Sequence, residues 1–255
     1  MIPLREIKEK ARGNGVPETA IERDYVQNWL LKFLSTMDMV LKGGTGIKKV
    51  YIGDYRFSDD LDFTLLRKTE MEDLRTMILQ SVKNTKEVSG IDFDDNITFE
   101  ENLNGYEGNI YFRILRKAGN PLRIKLDVTK PDKEKLLLPI RKGDIIHPYS
   151  DNCSANILVY SLEEIVAEKI RALFERVRPR DLYDVWYLWD EIDKEKILNI
   201  FPEKCRHRGV KTNIQSLKNR KDDFASAWES SLSHQLKKIP NFNSTFDKVI
   251  KILCW

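Results

Sequence analysis

Residues 41–66 read LKGGTGIKKVYIGDYRFSDDLDFTLL, and two features of this stretch govern how the rest of the chain is read. The first is the glycine turn Gly43-Gly44-Thr45, which ends the short apolar strand expected at "MVL". The second is the pair Asp60 and Asp62, spaced by Leu61 on a strand expected over residues 61–66. Successive side chains of a strand point to opposite faces, so the two carboxylates share one face while Leu61 and Phe63 turn inward. Neighbouring carboxylates repel, and a divalent cation is the usual reason to hold both ionised. The backbone N–H groups of Gly43, Gly44 and Thr45 precede the short helix expected over "TGIKKVYIG", an arrangement that binds phosphate. Either feature alone reads equally well as a plain turn or a solvated acidic strand. Together they describe a phosphate cradle beside a Mg²⁺-binding pair, the needs of a nucleoside triphosphate.

Two other chemistries use the same carboxylates. "DLDFT" matches the Asp-x-Asp-x-Thr signature of haloacid-dehalogenase phosphatases, with Asp60 as nucleophile. That signature ends an apolar strand, whereas "YRFSD" before Asp60 is polar and turn-like, and Gly43 to Thr45 would have no role. Metal-binding Asp-x-Asp glycosyltransferases fail on the same point.

With 255 residues, the chain can bury a sizeable core as one large domain or two small ones. A hydrophobic share of 41% and a charged share of 33% describe an ordinary globular protein somewhat rich in charge. The net charge of +3 hides a balanced mixture and selects no partner by itself. No apolar run approaches the roughly 18–20 residues of a membrane span. The N-terminus "MIPLREIKEKARG" is too charged for a signal peptide. Cys153, Cys205 and Cys254 lack paired spacing, which suits a reducing cytoplasm.

The two halves of the chain have different grammar. Between Val16 and Leu41, Ile21, Tyr25, Leu30, Leu31 and Leu34 fall at helical spacing, with Pro17 at the helix start. "NITFEEN", "GNIYFRILRKAG" and "PLRIKLDVTK" are β-rich, and Gly119-Asn120-Pro121 is the expected hairpin turn between the last two. After Tyr160 the pattern turns helical. The expected architecture is α+β. A small mixed sheet with flanking helices occupies residues 1–155, and a helical domain occupies residues 156–255.

Transfer chemistry with two metals asks for a third carboxylate from a neighbouring strand. "PLRIKLDVTK" supplies Asp127, on the face opposite Ile124, Leu126 and Val128, with Lys125 beside it. A half-buried surface strand would alternate in the same way. In the helical half, Ser161-Leu-Glu-Glu164 is a capping box. Beyond it Leu162, Ile165, Val166, Ile170, Leu173, Phe174 and Val177 form an apolar stripe that contains Lys169. A lysine there either snorkels outward or reaches a buried anion, with Arg176 on the same flank. "PRDLYDVWYLW" opens the next helix, with Leu182, Val185, Trp186 and Trp189 as its expected core face. Asp181 at its start is favoured by the helix dipole in any case, and Asp184 is spaced to pair with Arg180. The basic runs "EKCRHRGVK", "SLKNRK" and "HQLKK" read as a solvated face or as an RNA-steering surface.

Three blocks, "ERDYVQNWLLKFL", "LKGGTGIKKVYIGDYRFSDDLDF" and "SLEEIVAEKIRALFERVRPRDLYDVWYL", resemble the AbiEii/AbiGii-type nucleotidyltransferase toxins of the DNA polymerase β-like superfamily. The resemblance covers most of the chain. It implies a Mg²⁺-dependent transfer of a nucleoside monophosphate from a triphosphate to an acceptor hydroxyl, with two ions and Mn²⁺ as a substitute. It implies that Asp60, Asp62 and Asp127 bind metal. Gly43, Gly44, Thr45 and Lys169 would bind the nucleotide, joined by Arg56 and Ser58 of "RFSDDLDF". Lys169 and Asp181, or less securely Asp184, fill the family's later motifs as catalytic residues. MenT-like relatives imply a tRNA 3′ end as acceptor, and the family implies a cognate antitoxin and a place in toxin–antitoxin or abortive-infection phage defence. Two departures are mild: the interval from Gly44 to Asp60 is long, and Thr45 stands where serine is commoner. A non-catalytic nucleotide- or RNA-binding module and an NTP-dependent protein phosphotransferase remain the rival readings.

Overall fold

The computed structural model describes residues 1–116 and 118–254, and the chain divides into two compact units. The first comprises Met1–Glu134 and Ile140–Tyr160, the second Lys135–Pro139 and Ser161–Trp255.

The first unit opens with α1 (Leu4–Asn14) and α2 (Glu18–Leu34). Gly15 closes α1 at φ 62°, the left-handed conformation that glycine adopts without a Cβ penalty. Along α2, Ile21, Tyr25, Leu30, Leu31 and Leu34 are buried as their spacing predicts. Asp24, Gln27 and Asn28 are buried as well, so this helix carries polar groups into the interior. The chain continues through β1 (Met39–Lys42), α3 (Gly43–Gly46), a π-helical turn (Ile47–Tyr51), β2 (Leu61–Leu65) and α4 (Met71–Ser89). Six strands follow: β3 (Asp92–Phe93), β4 (Thr98–Asn102), β5 (Gly105–Arg113), β6 (Leu122–Thr129), β7 (Arg141–Asp144) and β8 (Asn156–Val159). The glycine turn therefore does not precede its helix but forms the first turn of it.

The mixed sheet runs β3-β5-β6-β2-β1-β8-β7, with β4 also paired to β5. At its centre β2 is antiparallel to β1 and parallel to β6, and β6 is antiparallel to β5. Leu61 and Phe63 of β2 and Ile124, Leu126 and Val128 of β6 form the core face, each at most 3% exposed. Each such side chain contributes roughly 1.5–3 kcal/mol of burial, which fixes the strand register and hence the opposite, polar face. Gly119, at φ 88°, lies in the expected turn between β5 and β6. Lys117, in the same segment, lies outside the described residues.

The second unit holds α5 (Leu162–Glu175), α6 (Pro179–Leu188), α7 (Lys194–Arg208), α8 (Ile214–Asn219), α9 (Lys221–Leu232) and α10 (Phe242–Ile252). Only half of the expected capping box forms. Ser161 Oγ accepts from the Glu164 N–H at 3.2 Å. The Glu164 carboxylate instead accepts from the N–H groups of Leu137 and Leu138 and pairs with the fully buried Lys204 at 2.5 Å. The Lys204 ammonium and those two N–H groups occupy the carboxylate in place of the Ser161 N–H. Trp186 and Trp189 are half-buried rather than core. The helix ends at Leu188, and Tyr183 and Leu188 join Leu182 and Val185 in the interior. Among the described residues, no helix is long and apolar enough to cross a membrane.

Candidate active site

The glycine turn and the carboxylate strand are neighbours because β1 and β2 pair, with Lys42 opposite Asp62. Gly43 has φ 68°, and a Cβ on it would stand 2.7 Å from Asp62 Oδ2. A Cβ on Gly44 would stand 2.7 Å from an Arg56 guanidinium nitrogen and 3.2 Å from Ser58 Oγ. Gly43 needs its glycine for the left-handed backbone, and a Cβ at Gly44 would oblige the Arg56 and Ser58 side chains to shift. Thr45 is fully buried and its hydroxyl donates to the Asp60 carbonyl, tying the turn to the residue just ahead of β2.

The long interval between Gly44 and Asp60 is organised by buried lysines of the π-helical turn. Lys48 Nζ donates to the carbonyls of Gly53 and Tyr55 at 3.0 and 3.1 Å and lies 4.0 Å from the centroid of the Phe57 ring. Lys49 Nζ pairs with Asp24 of α2 at 2.7 Å. Burial pushes the Lys49 ammonium down to about 8 in spite of that partner. Gln27 Nε2 donates to the Ser58 carbonyl at 2.9 Å. These bonds set the path of the backbone that presents Arg56, Ser58 and Asp60.

Across the sheet, register aligns three carboxylates on adjacent strands. Asp62 of β2 is opposite Asp127 of β6, and Asp127 is opposite Glu107 of β5. Lys125, two residues before Asp127 on the same face, bridges Asp127 and Glu107. Its Nζ lies 2.9 Å from Glu107 and 3.1 Å from Asp127. Burial, followed by the charge of Asp62, raises the Asp127 carboxyl above the usual carboxylate range despite Lys125. Among the described residues, no group of three or more carboxylate, histidine or cysteine side chains is placed to hold a metal ion. The donor set nevertheless suits a hard divalent ion. It is all oxygen, half-buried and carries more negative charge than Lys125 offsets.

In the second unit Lys169 of α5 meets both aspartates of α6, 2.7 Å from Asp181 and 3.0 Å from Asp184. Arg176 Nε donates to the other Asp181 oxygen at 3.1 Å. Asp184 is fully buried, Asp181 is 3% exposed and Lys169 is 14% exposed. Burial alone would raise Asp181, but the charges of Lys169 and Arg176 outweigh it and hold the carboxyl below its ordinary value.

Of the residues singled out in the sequence, Gly43, Gly44, Thr45, Arg56, Ser58, Asp60, Asp62 and Asp127 gather within the first unit. Lys169, Asp181 and Asp184 gather within the second. Glu107, Lys48 and Lys49 went unread. Glu107 had a signal in the alternation of "GYEGNIYFR"; the buried lysines had none, because exposure is the ordinary fate of lysine.

A family model described as "Nucleotidyl transferase AbiEii toxin, Type IV TA system" matches residues 27–251. Among solved structures, MenT4, a nucleotidyltransferase toxin from Mycobacterium tuberculosis H37Rv, is similar with a TM-score of 0.66 and 18% identity, covering 100% of this chain and 89% of that one. JHP933 from Helicobacter pylori is similar with a TM-score of 0.56 and 20% identity, covering 93% of this chain and 92% of that one. At those identities the likeness is one of fold. No curated protein sequence matches.

Proposed function

The chain belongs to the AbiEii nucleotidyl transferase toxin family, and from that premise we propose that it moves a nucleoside monophosphate from a triphosphate onto an RNA hydroxyl, with pyrophosphate as the leaving group. It is a nucleotidyltransferase by family; the acceptor, the metal and the residue roles are our reading. The observation that carries the reading is the fit of the turn against the carboxylate strand, where Gly43 has no room for a Cβ beside Asp62. A phosphate seated on the turn is thereby held next to the carboxylates.

Asp60, Asp62 and Asp127 would hold Mg²⁺, as two ions or with Mn²⁺ in their place. When bound, the metal supplies charge neutralisation on the phosphates and lowers the pKa of the attacking hydroxyl. The N–H groups of Gly43 to Thr45, with Arg56 and Ser58, orient the triphosphate in line with the acceptor. In the second unit, Asp181 and Asp184 hold Lys169, the residue that the family's later motifs make catalytic. A tRNA 3′ end is the proposed acceptor, the cytoplasm the proposed compartment, and a cognate antitoxin with a role in phage defence the proposed setting.

The test incubates the protein with Mg²⁺, total tRNA, a cell extract's proteins and each nucleoside triphosphate, labelled with ³²P at the α or the γ position. Label from the α position on tRNA is the expected result. Label from the γ position on protein would replace this reading with phosphoryl transfer.

A further inference from the structure

The row of carboxylates holds a cation already, and it is a lysine. Lys125 lies between Asp127 and Glu107, at 3.1 and 2.9 Å, and its side chain is 27% exposed. Glu107 and Asp127 face each other across β5 and β6, and Asp62 stands on the far side of Asp127. An ammonium shared by two carboxylates can leave one without losing all compensation, because the second remains in contact. A glutamate with no metal to bind itself has a reason to stand in this row.

We propose that Lys125 is the resident counter-ion of Asp127, and that Glu107 is the carboxylate that receives it when a divalent ion takes Asp127. Lys125 and Glu107 are then positioning residues for the metal site. They hold Asp127 compensated in the empty enzyme and free it on loading. This rests on the metal-binding reading above.

Two single variants should act in opposite directions. Lys125→Gln removes the competitor and should tighten Mn²⁺ binding by about tenfold, since like charge within a few ångströms of a cation is strongly unfavourable. Glu107→Gln removes the receiving carboxylate, leaves Lys125 on Asp127 and should weaken Mn²⁺ binding by about threefold. Charge change alone predicts those signs, so the deciding quantity is the coupling between them. In the Lys125→Gln, Glu107→Gln double variant the Glu107 effect should vanish, because nothing remains to be received.

The experiment is a Mn²⁺ titration of the full chain followed by electron paramagnetic resonance, for wild type, both single variants, the double variant and Asp62→Asn. Non-additivity of the kind described supports the proposal. Additive effects, or an unchanged affinity in Lys125→Gln, overturn it. If Mn²⁺ binds in an Asp62-dependent way and the effects add, only the role of Lys125 and Glu107 is lost. If Mn²⁺ binds no form of the protein, or binds Asp62→Asn as it does wild type, the metal reading falls with it.

Discussion

The two ionic clusters of this protein share ingredients and differ in balance. In the helical unit, Asp181 and Asp184 are almost wholly buried, and Lys169 with Arg176 compensates them. In the sheet unit, Asp62, Asp127 and Glu107 are aligned on three strands, and Lys125 bridges only the last two. In the first cluster the charges of Lys169 and Arg176 outweigh burial and pull a carboxyl down; in the second, burial and then the charge of Asp62 push one up against a single lysine. A folded protein tolerates the second pattern where a ligand brings the missing charge. The difference sets a cluster compensated by its own cations apart from the one we propose binds a metal.

The comparison breaks most severely if the acidic pair is dispensable. Asp60→Asn with Asp62→Asn should lower nucleotide transfer by at least about 10³-fold, since metal stabilisation of phosphoryl charge is worth several kcal/mol. Circular dichroism should show the fold intact, because Asp62 is only half-buried. The compensated cluster should answer in stability instead. Asp184→Ala strands part of the Lys169 charge in a buried site and should cost about 3–5 kcal/mol in urea unfolding. Gly43→Ala is next, placing a Cβ at φ 68° and 2.7 Å from Asp62 Oδ2. It should cost about 1–2 kcal/mol from the backbone alone and displace Asp62, lowering kcat more than it raises KM.

The smallest effect carries the sharpest contrast, because the two aspartates predict opposite signs. Asp181 has a folded pKa below its unfolded value of about 3.9. Its stabilisation is therefore present above pH 4 and lost as pH falls through the folded value. Asp127 has a folded pKa above that value, so its ionisation removes stability as pH rises through the interval between the two. At pH 7, Asp181→Asn should lower the melting temperature, while Asp127→Asn should raise it by about 1 °C. Scanning calorimetry in metal-free buffer checks both, and equal signs would erase the distinction drawn here.

Much of this was legible in the residues. Strand alternation around Asp62 and Asp127 placed both on the polar face, because Leu61, Phe63, Ile124, Leu126 and Val128 leave no other register. The lysine in the α5 stripe was legible as an anomaly, and Asp181 as a carboxylate that could orient it; that Asp184 meets the same lysine comes only from the packing of α6 on α5. The α4 helix went unread although Leu74, Ile78 and Val82 recur at every fourth position. Its polar remainder masked the period. Lys48 and Lys49 were illegible for a deeper reason. Their acceptors, the Gly53 and Tyr55 carbonyls and Asp24, are fixed by a π-helical turn that no local propensity announces.

Nucleotidyl transfer breaks the triphosphate at its α-phosphorus, whereas phosphoryl transfer breaks it at the γ-phosphorus. The direct measurement is ³¹P NMR of the products formed from a nucleoside triphosphate with Mg²⁺ and total tRNA, for wild type and for the Asp60→Asn, Asp62→Asn protein. One pyrophosphate released per nucleotide incorporated, with wild type alone, is the predicted result. A nucleoside diphosphate as the released product, or the same products from both proteins, would contradict the account.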